Sequence, residues 1–365
     1  MKFSLLTLLF ALALGPAPRA AAQQRHEPAK EGPAAQGFPV ERRTEVEPRA
    51  SVSLCVNEGD VVVRGWDRNE VRARIEDEGA LRLLTPGSVH PAPRVEVLVS
   101  DGREEEPGAG HCGSNQMVEL TVPRGATVEV EARTGHVEVA DVAEARVKVL
   151  SGDVDVRRVS RAVEVSCLSG DVSVSDSTGP VRVESVSGDV EARNLRTSSA
   201  GDDFEAKSTS GDLTIEGVGH GRVTGSAVSG QILYTGALAR GGSYDFRTIS
   251  GDVTMELPSN SSFNLHAKVV ISGEIVTDFP VKTVASASAS ATSSAAAEVP
   301  AVPPVPPVPP GVEVRLPPPP PSQKKGPKVK VPREHESARL DGTVGNGDAV
   351  VNLSSFSGTL HLRKR

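Results

Sequence analysis

The chain is 365 residues long, with 40 basic and 47 acidic side chains, 35 glycines, 28 prolines and only 3% aromatic residues. That length suits one large domain or two ordinary ones. Scarce aromatics and abundant Gly and Pro argue against a helix bundle, an aromatic-lined pocket or a membrane channel, and the net charge of −7 argues against nucleic acid, whose binding needs clustered positive charge.

Residues 1–22 read as an export leader. Lys2 gives the positive start, 5–14 an apolar run, and Ala20, Ala21 and Ala22 a small-residue cleavage site. The run is too short to anchor in a bilayer, which takes about 20 apolar residues. No cysteine follows it, which speaks against a lipoprotein, and no later segment is long and apolar enough to span a membrane. Residues 23–37 are polar and rich in Pro, Ala and Gly, so disorder is expected. Residues 38–125 mix strand patterns at 50–56, 60–64 and 71–75 with Gly- and Pro-rich stretches. They are read as an irregular β N-terminal cap, since an uncovered end of a stacked sheet is an exposed strand edge. Cys55 and Cys112 both fall in this cap. An exported chain tolerates disulfides, and these two are expected to pair, leaving Cys167 over.

Repetition dominates 126–280. Ser-Gly-Asp-Val begins at Ser151, Ser169, Ser187 and Ser250, with variants at Ser210, Ser229, Ser272 and Ser357 and a degenerate copy at Thr134. After each glycine, apolar residues recur on alternate positions: Val154 and Val156, Val172 and Val174, Leu213 and Ile215, Ile232 and Tyr234, Val253 and Met255. Period two marks a strand with one buried face. A second strand precedes each block, with Val163 and Val165, Val181 and Val183, Tyr244 and Phe246 directed inward. One coil cannot bury its own inner face, so the coils must stack, about 4.8 Å apart. The fold class expected is all-β: a single-chain β-solenoid of about 20-residue coils. Its turns are marked by Gly152 and Asp153, Gly170 and Asp171, Gly188 and Asp189, Gly211 and Asp212, Gly251 and Asp252. Gly allows a positive φ cheaply, and Ser and Asp side chains cap nearby backbone groups.

Residues 281–337 interrupt the array as a linker insertion. An Ala/Ser stretch leads into Pro-Pro-Val-Pro-Pro-Val-Pro-Pro at 303–310 and five prolines at 317–321. Lys324, Lys325, Lys328, Lys330 and Arg333 follow with no acid between 324 and 333. Such runs favour extended polyproline II and cannot enter a sheet. The segment is a solvated linker or a spacer reaching a partner. Residues 338–365 are the closing coil.

Three stretches carry a family resemblance. Gly59-Asp-Val-Val-Val-Arg-Gly-Trp-Asp-Arg-Asn-Glu-Val71 looks like an opening strand pair. Leu257-Pro-Ser-Asn-Ser-Ser-Phe-Asn-Leu265 with Ser272-Gly-Glu-Ile275 looks like a late coil, and Val344-Gly-Asn-Gly-Asp-Ala-Val-Val-Asn-Leu353 with Ser357-Gly-Thr-Leu360 like a closing one. In this the sequence resembles the bacterial putative-adhesin family of unknown function. The resemblance implies a β-solenoid with a surface or envelope role, and it transfers no catalytic residue.

No enzymatic signature emerges from the residues themselves. The block serines lack a partnered His and a Gly-x-Ser-x-Gly elbow. The eight His residues fall in no metal-ligand spacing. The recurrent Asp corner could form a calcium ladder, but Gln231, Glu274 and Thr359 break it, so turn capping is the better reading. Cys167 occupies a slot filled elsewhere by Ser185, Ser208 and Thr248, as a buried inert thiol would. The expectation is an exported, non-enzymatic adhesin or structural envelope protein without cofactor or metal. Cell-envelope polymer or a surface protein would be its partner. A polysaccharide-acting enzyme and an envelope-stress sensing module are the alternatives.

Overall fold

A computed structural model describes residues 40–76, 80–87, 90–100, 112–283 and 337–365, all within one compact unit, Phe38–Arg365. The expected leader (1–22), the polar stretch 23–37 and nearly all of the linker insertion (284–336) lie outside the described residues. No helix among those described is long and apolar enough to cross a membrane.

The protein is a β-solenoid. Each rung is two strands joined at a glycine corner. The strand before the corner joins one parallel ladder, exemplified by Glu144–Ser151, Ala162–Ser169, Val181–Ser187 and Asp203–Ser210. The strand after it joins a second, through Val154–Arg157, Val172–Ser175, Val190–Arg193 and Leu213–Glu216. Register is strict, with Val147, Val165, Val183 and Ala206 aligned on successive rungs. Strict register follows from period two, because a one-residue slip would turn every buried side chain outward.

The interior is valine-rich through Val156, Val165, Val174 and Val183, and coarsens toward the C-terminal rungs with Phe204, Tyr234, Tyr244, Phe246 and Met255, all fully buried. Fully burying such a side chain is worth roughly 1.5–3 kcal/mol. Tyr234 packs against Tyr244 and Phe246 at ring-centre distances of 5.5 and 5.4 Å. The aromatics fit because small residues face them. Gly225 is paired with Phe246, and a Cβ on it would lie 2.8 Å from the Phe246 ring. The Tyr244 hydroxyl accepts from the Ala239 N–H and donates to the His220 carbonyl, so its polar tip is satisfied in the core.

Two departures from the sequence-based expectation concern the ends. The region 38–125 is not merely an irregular cap. Val40–Glu58 and Val61–Trp66 form a full rung paired with Thr127–Thr134 and Val137–Ala140. Ala92–Ser100, Gly113–Asn115 and Val118–Pro123 form another rung beyond it. Antiparallel strands do provide a cover: Ala80–Leu84 edges Ala92–Ser100, and Glu70–Ile75 edges Val118–Pro123. Sequence hid the first rung because its corner reads Glu58-Gly59-Asp60 without the serine, and hid the next because its corner has no glycine at all.

The C-terminal coil does not close the array. Val350–Ser357 and Leu360–Lys364 insert between the rung of Ser243–Ser250 with Val253–Leu257 and the rung of Phe263–Ser272 with Ile275–Thr277. The true end on the first ladder is Phe263–Ser272, covered by antiparallel Ala338–Val344 and then Lys282–Thr283. The N-terminal rung is likewise second from its end. The pre-corner strands Val40–Glu58 and Val350–Ser357 therefore hydrogen-bond on two sides, and the outermost parallel strands of the first ladder are covered by antiparallel strands, which blunts edge-to-edge association. At about 4.8 Å per rung the stack is about 50 Å long.

Candidate functional site: a corner repeated along the stack

The corner glycines form one column. Moving along the stack it runs Gly59, Gly135, Gly152, Gly170, Gly188, Gly211, Gly230, Gly251, Gly358 and Gly273, all at positive φ. Beside it runs a column of aspartates, and its role is to join rungs. Oδ1 of Asp153 accepts the backbone N–H of Asp171 (3.0 Å), Asp171 that of Asp189 (2.8 Å), and Asp189 that of Asp212 (2.8 Å). Asp212 accepts from Gln231 (2.7 Å), and Asp252 from Thr359 (2.6 Å). Asp60 does the same for His136 at 2.9 Å. Sequence reasoning assigned the bonds of these carboxylates to backbone groups of the local turn. The structure directs them to the next rung. No residue of this column forms an ion pair with Lys or Arg among the described residues. Nor, among the described residues, are three or more His, Cys, Asp or Glu side chains placed to hold a metal ion.

Asp189→Ala should therefore lower the unfolding free energy by about 1–1.5 kcal/mol, the worth of a charged acceptor at a partly exposed site. Asp189→Asn, which keeps an acceptor oxygen, should cost less than about 0.5 kcal/mol. Urea denaturation of both variants checks this. Equal losses would show that the bond across rungs is not what the residue contributes.

Immediately before the serine of each block lies a feature that sequence reasoning missed. Leu150, Leu168, Val186, Val228, Ile249 and Phe356 are exposed by 44–52%, and Val270 continues the row at 39%. Parallel pairing sets them in line, one per rung, with Thr209 as the single polar break between Val186 and Val228. Beside the row runs a shallow groove. It measures about 550 Å³ along Leu150, Leu168 and Val186, and about 400 Å³ along Val228, Ile249, Val270 and Phe356. Its floor is the slot of small buried residues: Cys167, Ser185, Ser208, Ala227, Thr248 and Ser355. Cys167 is a buried free thiol whose Sγ lies 3.6 Å from the Gly152 carbonyl oxygen, and burial pushes its pKa up. The Thr248 and Ser355 hydroxyls donate to the equivalent carbonyls of Gly230 and Gly251. Cys55 and Cys112 form a disulfide with their Cα atoms 4.7 Å apart, and Cys112 borders the N-terminal end of the groove.

The opposite flank of the stripe is charged in alternating sign. Arg146, Glu164, Arg182 and Glu205 occupy one outward position on consecutive rungs. Arg182 pairs with Glu205 at 3.1 Å, and Lys207 with Glu184 at 3.5 Å. The Arg182 guanidinium holds the Glu184 carboxyl below the usual carboxylate range, and the Glu205 carboxylate raises Lys207. At the far end of the post-corner strands, Asp141, Arg158, Asp176 and Asn194 form a left-handed column, where Asp and Asn are tolerated best after Gly. There the Asp141 carboxyl is held low, first by hydrogen bonds from Arg158. The arrangement holds no nucleophile–base pair. It is a set of parallel rows, acidic, apolar and mixed-charge, repeated with the rung spacing.

No curated protein is significantly similar to the chain. Among solved structures the chain is similar to a putative adhesin from Bacteroides fragilis, 15% identical, with TM-score 0.39, covering 60% of this chain and 96% of that one. A putative cell adhesion protein from Clostridium sporogenes is 9% identical with TM-score 0.21, covering 89% and 99%. A putative adhesin from Parabacteroides merdae is 9% identical with TM-score 0.24, covering 60% and 89%. The Toastrack DUF4097 family model matches residues 51–223 and 96–301, which together take in most of the stacked rungs. The chain belongs to the Toastrack DUF4097 family.

Proposed function

We propose that the protein is an exported, non-enzymatic component of the cell envelope that works by adhesion or scaffolding. The observation that carries this reading is the registration of the rows: one exposed apolar side chain and one corner residue, most often Asp, per rung along most of the stack. A row repeating at about 4.8 Å suits an extended, repetitive partner such as envelope polymer or a surface-protein segment. Many weak contacts then add through effective concentration, with no single strong site needed.

The test is a pull-down of envelope fractions on the immobilised full chain, beside attachment assays on a deletion strain. The reading predicts retention of an envelope component and weaker attachment. A pull-down that retains nothing, with attachment unchanged, would remove it. Protease accessibility on intact cells would place the protein at the surface or inside the envelope.

A further inference from the structure

The two flanks of the apolar stripe are matched in charge, rung by rung. An outward side chain two residues before each stripe position marks one flank, and the corner residue three after it marks the other. Acidic corners mostly have a cation opposite: Lys148 with Asp153, Lys207 with Asp212 and Arg247 with Asp252. Lys268 with Glu274 continues the match on the last rung, whose strand carries one extra residue. Neutral corners have neutral flanks, as in Ser226 with Gln231 and Ser354 with Thr359. Ser166 stands opposite Asp171 without opposing it, and Glu184 with Asp189 is the like-charged exception. Among the described residues no ion pair joins any of these couples; Lys148, Lys207 and Arg247 lean instead on Glu131, Glu205 and Asp245. The two flanks lie about 15 Å apart, beyond a Debye length of about 8 Å, so the match does little within one copy.

We infer that two copies of this chain associate stripe on stripe, side by side and parallel, each rung against its own counterpart. The inference rests on the reading of this face as a binding surface and names a second copy as its occupant. Three observations favour that occupant. The first is symmetry. A two-fold axis along the stripe keeps every rung at its own height and exchanges the flanks, so Lys148, Lys207 and Arg247 meet Asp153, Asp212 and Asp252 of the second copy. A two-fold axis across the stripe would reverse one stack and set the aspartate column against itself, which like charge opposes. The second is the stripe itself. Leu150, Leu168, Val186, Val228, Ile249 and Phe356 would each face their own counterpart and lose their remaining exposure. Thr209 falls on the axis, where its hydroxyl can bond its counterpart's. Arg133 takes the next position toward the N-terminus and bounds the apolar contact. The third is area. From Leu150 to Val270 the stripe runs about 34 Å, and at about 15 Å wide it would bury roughly 1,000 Å² over both copies, the lower limit for a specific contact. A weak, reversible dimer follows.

Sedimentation equilibrium of the purified full chain tests this, with self-association expected at roughly micromolar concentrations. Leu168→Ser with Ile249→Ser removes four apolar side chains per dimer and should weaken it roughly tenfold or more. Both side chains are half exposed, so the melting temperature of the dilute variant should stay near the parent's. Lys207→Asp sets carboxylate against carboxylate twice in a self-pair, and Asp212→Lys sets ammonium against ammonium twice. Each should self-associate roughly tenfold more weakly. An equimolar mixture of those two variants restores both opposite-charge contacts and should associate to within roughly threefold of the parent. A chain still monomeric at roughly 100 μM would overturn the proposal. So would a dimer indifferent to the stripe substitutions, or a mixture no tighter than its components. The readout needs no envelope component. A failed pull-down with these dimers present would therefore sink adhesion and leave the contact standing, and retention of an envelope component by a monomeric chain would do the reverse.

Discussion

Gly188→Ala is expected to destabilise the protein by on the order of 3–5 kcal/mol, far more than a surface substitution. Gly188 sits at φ +125°, a conformation that an L-residue adopts only under strain. A Cβ there would fall inside the van der Waals envelope of the Gly170 carbonyl oxygen on the adjoining rung. Relief would require separating two rungs. That would stretch the hydrogen bond from the Gly170 N–H to the Ser187 carbonyl and the one from the Asp189 N–H to Asp171. Gly201 is the control. It has open space around the position of a Cβ and no positive φ, so Gly201→Ala should lie within about 0.5 kcal/mol of the parent. Chemical denaturation of the two variants measures the difference. A loss below about 1 kcal/mol at Gly188 would mean that the rungs are not stacked at this spacing.

The second large effect concerns the C-terminal rung. Removing 345–365 takes away Ala349, Val351, Leu353, Leu360 and Leu362, all buried. At roughly 1.5–3 kcal/mol for each larger side chain, the loss approaches the whole stability of an ordinary domain. Position decides how the loss is distributed. A coil at the end of the array would leave the strands before it paired. This one lies inside, so the strands on both sides lose their partners. Hydrogen exchange of the truncated chain should therefore show protection lost from Ser243–Ser250 and Phe263–Ser272 together. Full-length protection in Phe263–Ser272 would contradict the insertion.

How far the fold could be read from sequence varies along the chain for identifiable reasons. Val163, Val165, Val181 and Val183 alternate with polar residues, and each is buried as alternation requires. The glycine column was legible because Ser-Gly-Asp recurs. The rungs of 40–66 and 92–123 were not, since their corners, at Gly59 and Gln116, lack that block and antiparallel strands interrupt them. Spatial order was not legible either. Equivalent rungs offer nearly equivalent hydrogen-bonding edges, so nothing local tells Val350–Ser357 to lie between two earlier coils. At the site, the aspartates were visible but their partners were not, because residue spacing does not say whether an N–H belongs to the same rung or the next. The stripe had a signal, an apolar residue before nearly every block serine. Next to a corner, that position can face either way, and only the register settles that Leu150, Leu168 and Ile249 face out.

Spin-label distances give the most direct test of the stacked order. In a Cys167→Ser background, labels at Ser166 and Ser354 are separated by five rungs, and labels at Ser166 and Lys268 by six. Rungs about 4.8 Å apart predict narrow distributions near ~24 Å and ~29 Å, the residue later in the chain being the closer one. Broad distributions, or Lys268 lying nearer than Ser354, would contradict the account.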